Sequence, residues 1–361
     1  MKVFRQIITY AILTIFLIGC EQDGYIDPIS KVEPGSDEEP PVVILNYPTE
    51  GTAIRVKEDV TSIDIKFEVR DDIELQSIVI ELNGNQIGEL TEFKDYRRVV
   101  DTYTYDEVTN GEHTLTITAT DMTGKSTSQT VNFEKIEPYE TKYDGEIFYM
   151  PFDANFMELV SITNAMVEGS PAFADGVKKQ AYQPTAGSYI TFPSDSVENN
   201  SISATFWYNP SAAEKTRAGI MVIGPPSDNN NDRTAGFRLY REGNATNQTI
   251  KLNIGNGDGE NWFDGGAAAS VNPETAGWVH VAFTIASDSA TVFLDGEVAS
   301  AGGFPGISWT DCNTLSIGSG APNFTGWSHF SDVGSLYDEL RLYNKALTQQ
   351  EIQTIMNETG N

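Results

Sequence analysis

Apolar residues recur at every second position along much of this chain. Ile63, Ile65, Phe67 and Val69 follow the pattern, then Ile78, Ile80 and Leu82, then Leu115, Ile117 and Ala119, then Val131 and Phe133. Side chains of an extended strand alternate between its two faces, so a period of two marks a strand with one buried face. A helix repeats near 3.6 residues and could not gather these positions on one side. Asn83-Gly84-Asn85 falls between two such runs. Asn and Gly tolerate the positive φ of a hairpin turn, and Thr123-Gly124 makes a second one. Short strands punctuated by turns predict a β-sandwich over residues 42–137.

The second half keeps the strands but lengthens the loops. Ile202 to Tyr208, Gly236 to Tyr240, Ile250 to Ile254, Trp278 to Thr284, Ala290 to Leu294 and Leu336 to Tyr343 all read as strands. Only the end reads as a helix. Thr348 with Glu351 three residues on is a capping box, and Leu347, Ile352, Ile355 and Met356 supply one apolar face. The chain of 361 residues thus predicts an all-β protein of two domains, with a short C-terminal helix.

Two resemblances sharpen this. Residues 42–137 resemble the immunoglobulin-like modules of bacterial surface proteins, through Pro40-Pro41-Val42-Val43-Ile44, Gly111-Glu112-His113-Thr114-Leu115 and Ala119-Thr120-Asp121. Residues 143–361 resemble the laminin-G-like, concanavalin-A-like jelly-roll family. That likeness is carried by Phe152-Asp153, Phe206-Trp207-Tyr208-Asn209-Pro210, Trp278-Val279-His280-Val281-Ala282 leading to Phe293-Leu294-Asp295-Gly296, and Tyr337-Asp338-Glu339-Leu340-Arg341-Leu342-Tyr343 before the helix. It implies two packed antiparallel sheets. It also implies a structural Ca²⁺ where the first and last strands meet, with Asp153 and Asp338 at the carboxylate positions. Asp153 can equally be a turn residue. One such sandwich hosts lectins, adhesive modules and hydrolases, so the fold leaves function open.

No strand carries the alternating carboxylates a glycosidase would aim into a cleft. Asp338 and Glu339 are adjacent and point to opposite faces. The three histidines (His113, His280, His329) are scattered, and no serine sits in a Gly-x-Ser-x-Gly turn. Carbohydrate binding asks for less: aromatic faces for the C–H faces of sugar rings, and polar groups for hydroxyls. Trp262 and Phe263, Trp309, and Trp327 with His329 sit in stretches rich in Gly, Asn, Asp and Ser. Such tryptophans either stack on a ligand or fold back and bury themselves. Arg238 and Tyr240 share a strand face that either lines a concave sheet or is simply solvated. Trp207 and Trp278 occupy strand positions and read as core.

The N-terminus speaks to location. Lys2 and Arg5 precede an apolar run from Ile7 to Ile18, too short for a comfortable membrane span. Leu17-Ile18-Gly19-Cys20 then resembles the bacterial lipobox. The resemblance implies a lipoprotein signal over residues 1–19 and acylation of Cys20; an ordinary signal peptide with a chance cysteine is the alternative. With Cys20 acylated, Cys312 has no disulfide partner. Residues 20–41, rich in acids and prolines, predict an extended tether. Glu21-Gln22-Asp23 resembles the surface-export signal of Bacteroidetes-type lipoproteins, which implies an outer-membrane protein facing the exterior, held in the membrane by its lipid alone. The formal charge of −29 excludes nucleic acid as a partner and disfavours anionic polymers. The expected role is non-catalytic capture of polysaccharide through the jelly roll, beside an outer-membrane uptake complex. An adhesive protein-interaction module and a polysaccharide hydrolase or lyase are the alternatives.

Overall fold

The computed structural model describes residues 35–212, 216–226 and 232–360. Cys20, the signal segment and most of the acidic stretch lie outside them. Contacts divide the chain into two compact units: one runs up to Ala53 and over Ser62–Lys135, the other takes Ile54–Thr61 and Ile136 onward.

Apart from the ends of β2, β3 and β8 that count with the other unit, the first unit contains β1 (Val42–Tyr47), β2 (Thr52–Arg55), β3 (Val60–Arg70), β4 (Leu75–Leu82), β5 (Asn85–Leu90), β6 (Arg98–Thr109), β7 (Gly111–Asp121) and β8 (Ser126–Ile136). They form a three-stranded sheet, β1-β3-β6, and a five-stranded sheet, β2-β8-β7-β4-β5. This is the immunoglobulin-like sandwich. The period-two residues face inward: Phe67, Val69, Ile78, Ile80, Leu115, Ile117 and Ala119 are fully buried. Burial of each large aliphatic or aromatic side chain contributes about 1.5–3 kcal/mol. Asn83 and Gly84 take φ of 55° and 76°, which closes the β4–β5 hairpin with Leu82 opposite Asn85. At the next turn Asp121 Oδ1 accepts from the backbone N–H groups of Thr123 and Lys125, at 2.8 and 3.0 Å. The expected tether does not stay free up to residue 41. Asp37 pairs with Lys125 at 2.5 Å and its side chain is almost covered.

The second unit contains β9 (Glu146–Met150), β10 (Met157–Glu158), β11 (Thr163–Asn164), β12 (Met166–Glu168), β13 (Ala172–Asp175), β14 (Gln180–Gln183), β15 (Tyr189–Pro193), β16 (Ile202–Asn209), β17 (Arg217–Ile223), β18 (Phe237–Asn244), β19 (Asn247–Gly255), β20 (Glu260–Asp264), β21 (Ser270–Val271), β22 (Val279–Ile285), β23 (Ser289–Leu294), β24 (Glu297–Gly303), β25 (Thr314–Ile317), β26 (Leu336–Tyr343) and the helix α1 (Gln349–Thr359). Among the described residues two eight-stranded antiparallel sheets form. One runs β12-β15-β25-β17-β18-β19-β20 with β21 beside β19, and the other β13-β14-β26-β16-β22-β23-β24 with β9 beside β26. This is a concanavalin-A-like jelly roll. Phe237, Leu239, Leu252, Ile254 and Phe263 of the first sheet pack against Phe206, Val281, Phe283, Val292 and Leu342 of the second.

The helix starts where its capping box places it. Thr348 accepts from Glu351 N–H, and Glu351 accepts from Thr348 N–H at 2.7 Å. Leu347, Ile352 and Ile355 bury against Ala282, Phe293 and Tyr343 on the outer face of the second sheet. Trp207 belongs to that outer face too. It donates from Nε1 to Thr359 Oγ1 at 3.0 Å and stacks edge-on with His280. Trp207 is therefore half-buried rather than part of the core between the sheets, and Trp278, just before β22, is half-buried as well.

Candidate functional site

Along β18 the inward residues are Phe237, Leu239 and Arg241, so Arg238, Tyr240 and Glu242 project from the opposite face. Register carries that face across the sheet. Arg217 of β17 lies opposite Glu242, Tyr240 opposite Lys251 of β19, and Lys251 opposite Asp264 of β20. Asn253 lies opposite Trp262. Trp262 is thus a strand residue and not the loop residue its Gly- and Asp-rich surroundings predict.

The loop between β25 and β26, residues 318–335, folds over part of this face. It can do so because Gly219 of β17 presents bare backbone there: a Cβ on Gly219 would meet Gly320 N at 2.1 Å. Asn323 Nδ2 donates to Gly224 O at 2.8 Å, and Gly219 N donates to Phe330 O at 3.2 Å. Phe324 packs against Tyr240, and His329 meets the Tyr240 ring at 4.5 Å between centroids. The same loop delivers Trp327 onto Trp262, with ring centroids 6.4 Å apart and planes inclined by 29°. Trp327 sits at φ 55°, ψ 27°, the left-handed region that bulky residues avoid at a cost of about 1–2 kcal/mol. A bond from the sheet reaches it there: Arg217 Nη1 of β17 donates to Trp327 O at 3.4 Å.

Trp262 is 41% exposed and Trp327 47%. Together with Tyr240, Arg217, Glu242 and Lys251 they line a shallow open depression of 340 Å³. Charged pairs border it. Arg217 Nη2 lies 2.7 Å from Glu242 Oε1, Lys251 Nζ lies 3.3 Å from Glu242 Oε2 and 2.8 Å from Asp264 Oδ2, and Arg233 is bonded to Glu260. The Arg233 guanidinium also lies 4.4 Å from the centroid of the Trp327 ring. Burial would raise the carboxyls of Glu242 and Asp264, but Arg217 and Lys251 at the first, and Lys251 with the Gly266 N–H at the second, outweigh it and hold both below their ordinary range. Both are ionised acceptors, not proton donors, at neutral pH.

Of the other residues that sequence reasoning placed here, all but Tyr240 lie off the depression. Phe263 follows Trp262 in the strand, so it faces inward and is buried in the core against Phe304. Trp309 packs on the core beside Phe237 and donates from Nε1 to Asn199 O at 3.0 Å. Arg238 lies beneath Phe324, fully buried, and donates to the carbonyls of Asp232 and Ala235 at 2.8 and 2.6 Å. His329 is buried under the tryptophans, its Nδ1 2.6 Å from Gly326 O, and burial lowers its pKa. Tyr240 is the floor of the depression. Sequence reasoning missed Arg217, Arg233, Glu242, Lys251, Glu260 and Asp264. Glu242 and Lys251 were within reach, because each continues the alternation of a strand already recognised.

Asp153 and Asp338, the expected calcium ligands, are each bonded to protein groups. Asp338 Oδ2 accepts from Lys178 N–H and Oδ1 from Glu339 N–H, both at 2.8 Å. Asp153 Oδ2 is paired with the Lys179 ammonium at 2.8 Å. Both carboxylates thus fasten the 176–180 turn, one through amide hydrogens and one through an ammonium. Calcium takes six to eight oxygens, and an ammonium at one of two carboxylates opposes it. No group of three or more His, Cys, Asp or Glu side chains suited to a metal occurs among the described residues.

Residues 184–353 match the family model of the concanavalin A-like lectin/glucanases superfamily, and residues 41–117 match that of a bacterial Ig domain. Among solved structures, domain 4 of AbnA, a GH43 extracellular arabinanase from Geobacillus stearothermophilus solved with arabinotriose, is 21% identical; the match covers 58% of this chain and 97% of that one, with a TM-score of 0.44. The binding domain of botulinum neurotoxin DC, solved in complex with SialylT, is 14% identical, over 60% of this chain and 52% of that one, with a TM-score of 0.44. The receptor binding domain of the botulinum neurotoxin C/D mosaic serotype is also 14% identical, over 59% and 51%, with a TM-score of 0.42. The chain spans about half the length of these toxin domains. No curated protein matches it.

Proposed function

We propose that the jelly roll binds carbohydrate on the platform of Trp262 and Trp327 and does not cleave it. One observation carries this reading: two tryptophans, each nearly half exposed, are brought together from a strand and a loop at the edge of an open depression. Sugar rings present apolar C–H faces that such indoles cover, while hydroxyls exchange hydrogen bonds with Arg217, Glu242, Lys251 and Asp264. A hydrolase would need one carboxyl protonated and one ionised, and the two carboxyls flanking Lys251 are both held ionised.

The lipobox-like Leu17-Ile18-Gly19-Cys20 and the acidic residues after it support a lipid-anchored protein on the outer face of the outer membrane. In that setting the immunoglobulin-like unit is a spacer. The jelly roll holds polysaccharide near an uptake complex or a degrading enzyme. A shallow site gives modest affinity for one site, raised by repeated engagement along a polymer.

Affinity electrophoresis of the purified chain through gels containing a broad polysaccharide panel tests the reading. Retention by at least one polymer, weakened in Trp262→Ala and Trp327→Ala, is the expected result. Retention by none sinks the proposal. A protein partner captured equally well by both variants would favour an adhesive role instead.

A further inference from the structure

We infer that the Trp262–Trp327 site is built for an uncharged glycan and discriminates against acidic ones. This rests on the carbohydrate reading and narrows it. Among the described residues, each of the three cations that border the platform has a carboxylate beside it. Arg217 has Glu242, Lys251 has Glu242 and Asp264, and Arg233 has Glu260. Among the described residues three positive groups meet three negative ones, and Arg217, Glu242, Lys251 and Asp264 form a continuous row across β17, β18, β19 and β20. The middle of the row is partly shielded from water, with the Glu242 side chain 30% exposed and Lys251 21%.

A uronate or sulfate entering this row has two ways to meet a cation. Either it displaces a carboxylate, which stays beside it, or it approaches the outside of an existing pair and meets the carboxylate first. Both place like charges together, and such juxtapositions cost several kcal/mol at an interface. A hydroxyl meets no such obstacle. The guanidinium and the ammonium keep further N–H donors, and each carboxylate keeps unused lone pairs, so one –OH can donate to Glu242 or Asp264 while accepting from Arg217 or Lys251. The formal charge of −29 adds a long-range repulsion toward any polyanion.

The test uses the full purified chain and pairs of polymers. Each neutral polysaccharide of a panel is run beside a carboxymethylated or sulfated derivative of the same backbone, at low ionic strength. The expected result is retention by a neutral member and at least ~10-fold weaker retention by its charged derivative. A derivative bound as well as its parent, and released by salt, overturns the inference and leaves the carbohydrate reading standing. Retention by neither member of any pair overturns the carbohydrate reading and the inference with it. Glu242→Gln supplies an independent arm, because it releases Arg217 and leaves Lys251 with Asp264 alone. That variant, with unchanged circular dichroism, is expected to acquire salt-sensitive retention by the charged derivatives. A variant that gains none shows that the ion pairs do not set the preference.

Discussion

Arg241 Nε lies 2.6 Å from Asp332 Oδ1, and both side chains are fully buried. Asp332 also accepts from Tyr208 and Tyr337 through Oδ2, both at 2.6 Å, and from Ser335 at 2.9 Å. The pair therefore joins β18 of one sheet, β16 and β26 of the other, and the loop that carries Trp327.

Removing the carboxylate leaves an arginine charge in the interior. Asp332→Ala is expected to lower stability by about 3–5 kcal/mol, measured by urea unfolding. Since the loop is tied down here, the variant should also lose polysaccharide retention under conditions where it remains folded. Unchanged stability would show that the buried pair is not what secures the loop.

The three tryptophans of the expected site separate by role. Trp262→Ala and Trp327→Ala are each expected to weaken glycan binding by about 0.5–1.5 kcal/mol, while unfolding shifts by only ~0.5 kcal/mol. Trp309→Ala should instead cost about 3–5 kcal/mol of stability and leave the affinity of the folded fraction unchanged. Titration calorimetry beside urea melts distinguishes the two patterns. Equal loss of binding in all three would contradict the burial of Trp309.

Acid should weaken the jelly roll through His280. Burial pushes its pKa down from 6.5 to about 4, and its Nδ1 has no hydrogen-bond partner. Between these values the unfolded chain binds a proton that the folded chain refuses. The contribution of this group is whole above pH 6.5 and is lost as pH falls toward 4, by roughly 3 kcal/mol in total. His280→Phe removes the term, so its stability relative to the parent should rise by roughly 2–3 kcal/mol between pH 7.5 and pH 4.5. A pH-independent difference between the two proteins would refute this.

Chelation should leave the melting temperature unchanged, because the 176–180 turn is fastened by Asp338 and Asp153 through amide and ammonium groups. Asp338→Ala, which leaves the Lys178 and Glu339 amides without their acceptor, is expected to cost about 1–3 kcal/mol. A melting temperature that falls with a chelator and returns with Ca²⁺ would restore the cation.

Strands and helix were legible because their signals are local. The alternation of Ile63, Ile65, Phe67 and Val69 buries them whatever else the chain does, and Thr348 caps with Glu351 without outside help. The site was legible only in part. Trp262 and Phe263 are neighbours in one strand, so only one could reach the surface, but their Gly-rich surroundings hide the strand that decides which. Arg238 and Tyr240 do share a face. What covers Arg238 comes from Phe324, far along the chain, and no local pattern announces it. Nor does one reveal that Arg217, Glu242, Lys251 and Asp264 fall in a row, since register across four strands is a tertiary property.

Trp262 belongs to the sheet, whereas Trp327 rides on a segment pinned at one end by Asn323 to Gly224 and at the other by Asp332 to Arg241. Just before the first pin, Gly320 rests on the bare backbone of Gly219, and between the pins only Phe324, His329 and the small Ser331 are buried. Such a segment behaves as a cassette. Its middle can be rewritten to reshape one wall of the recognition surface while the opposite wall and the scaffold stay as they are. A lineage carrying this jelly roll can thus vary that wall without having to solve folding again.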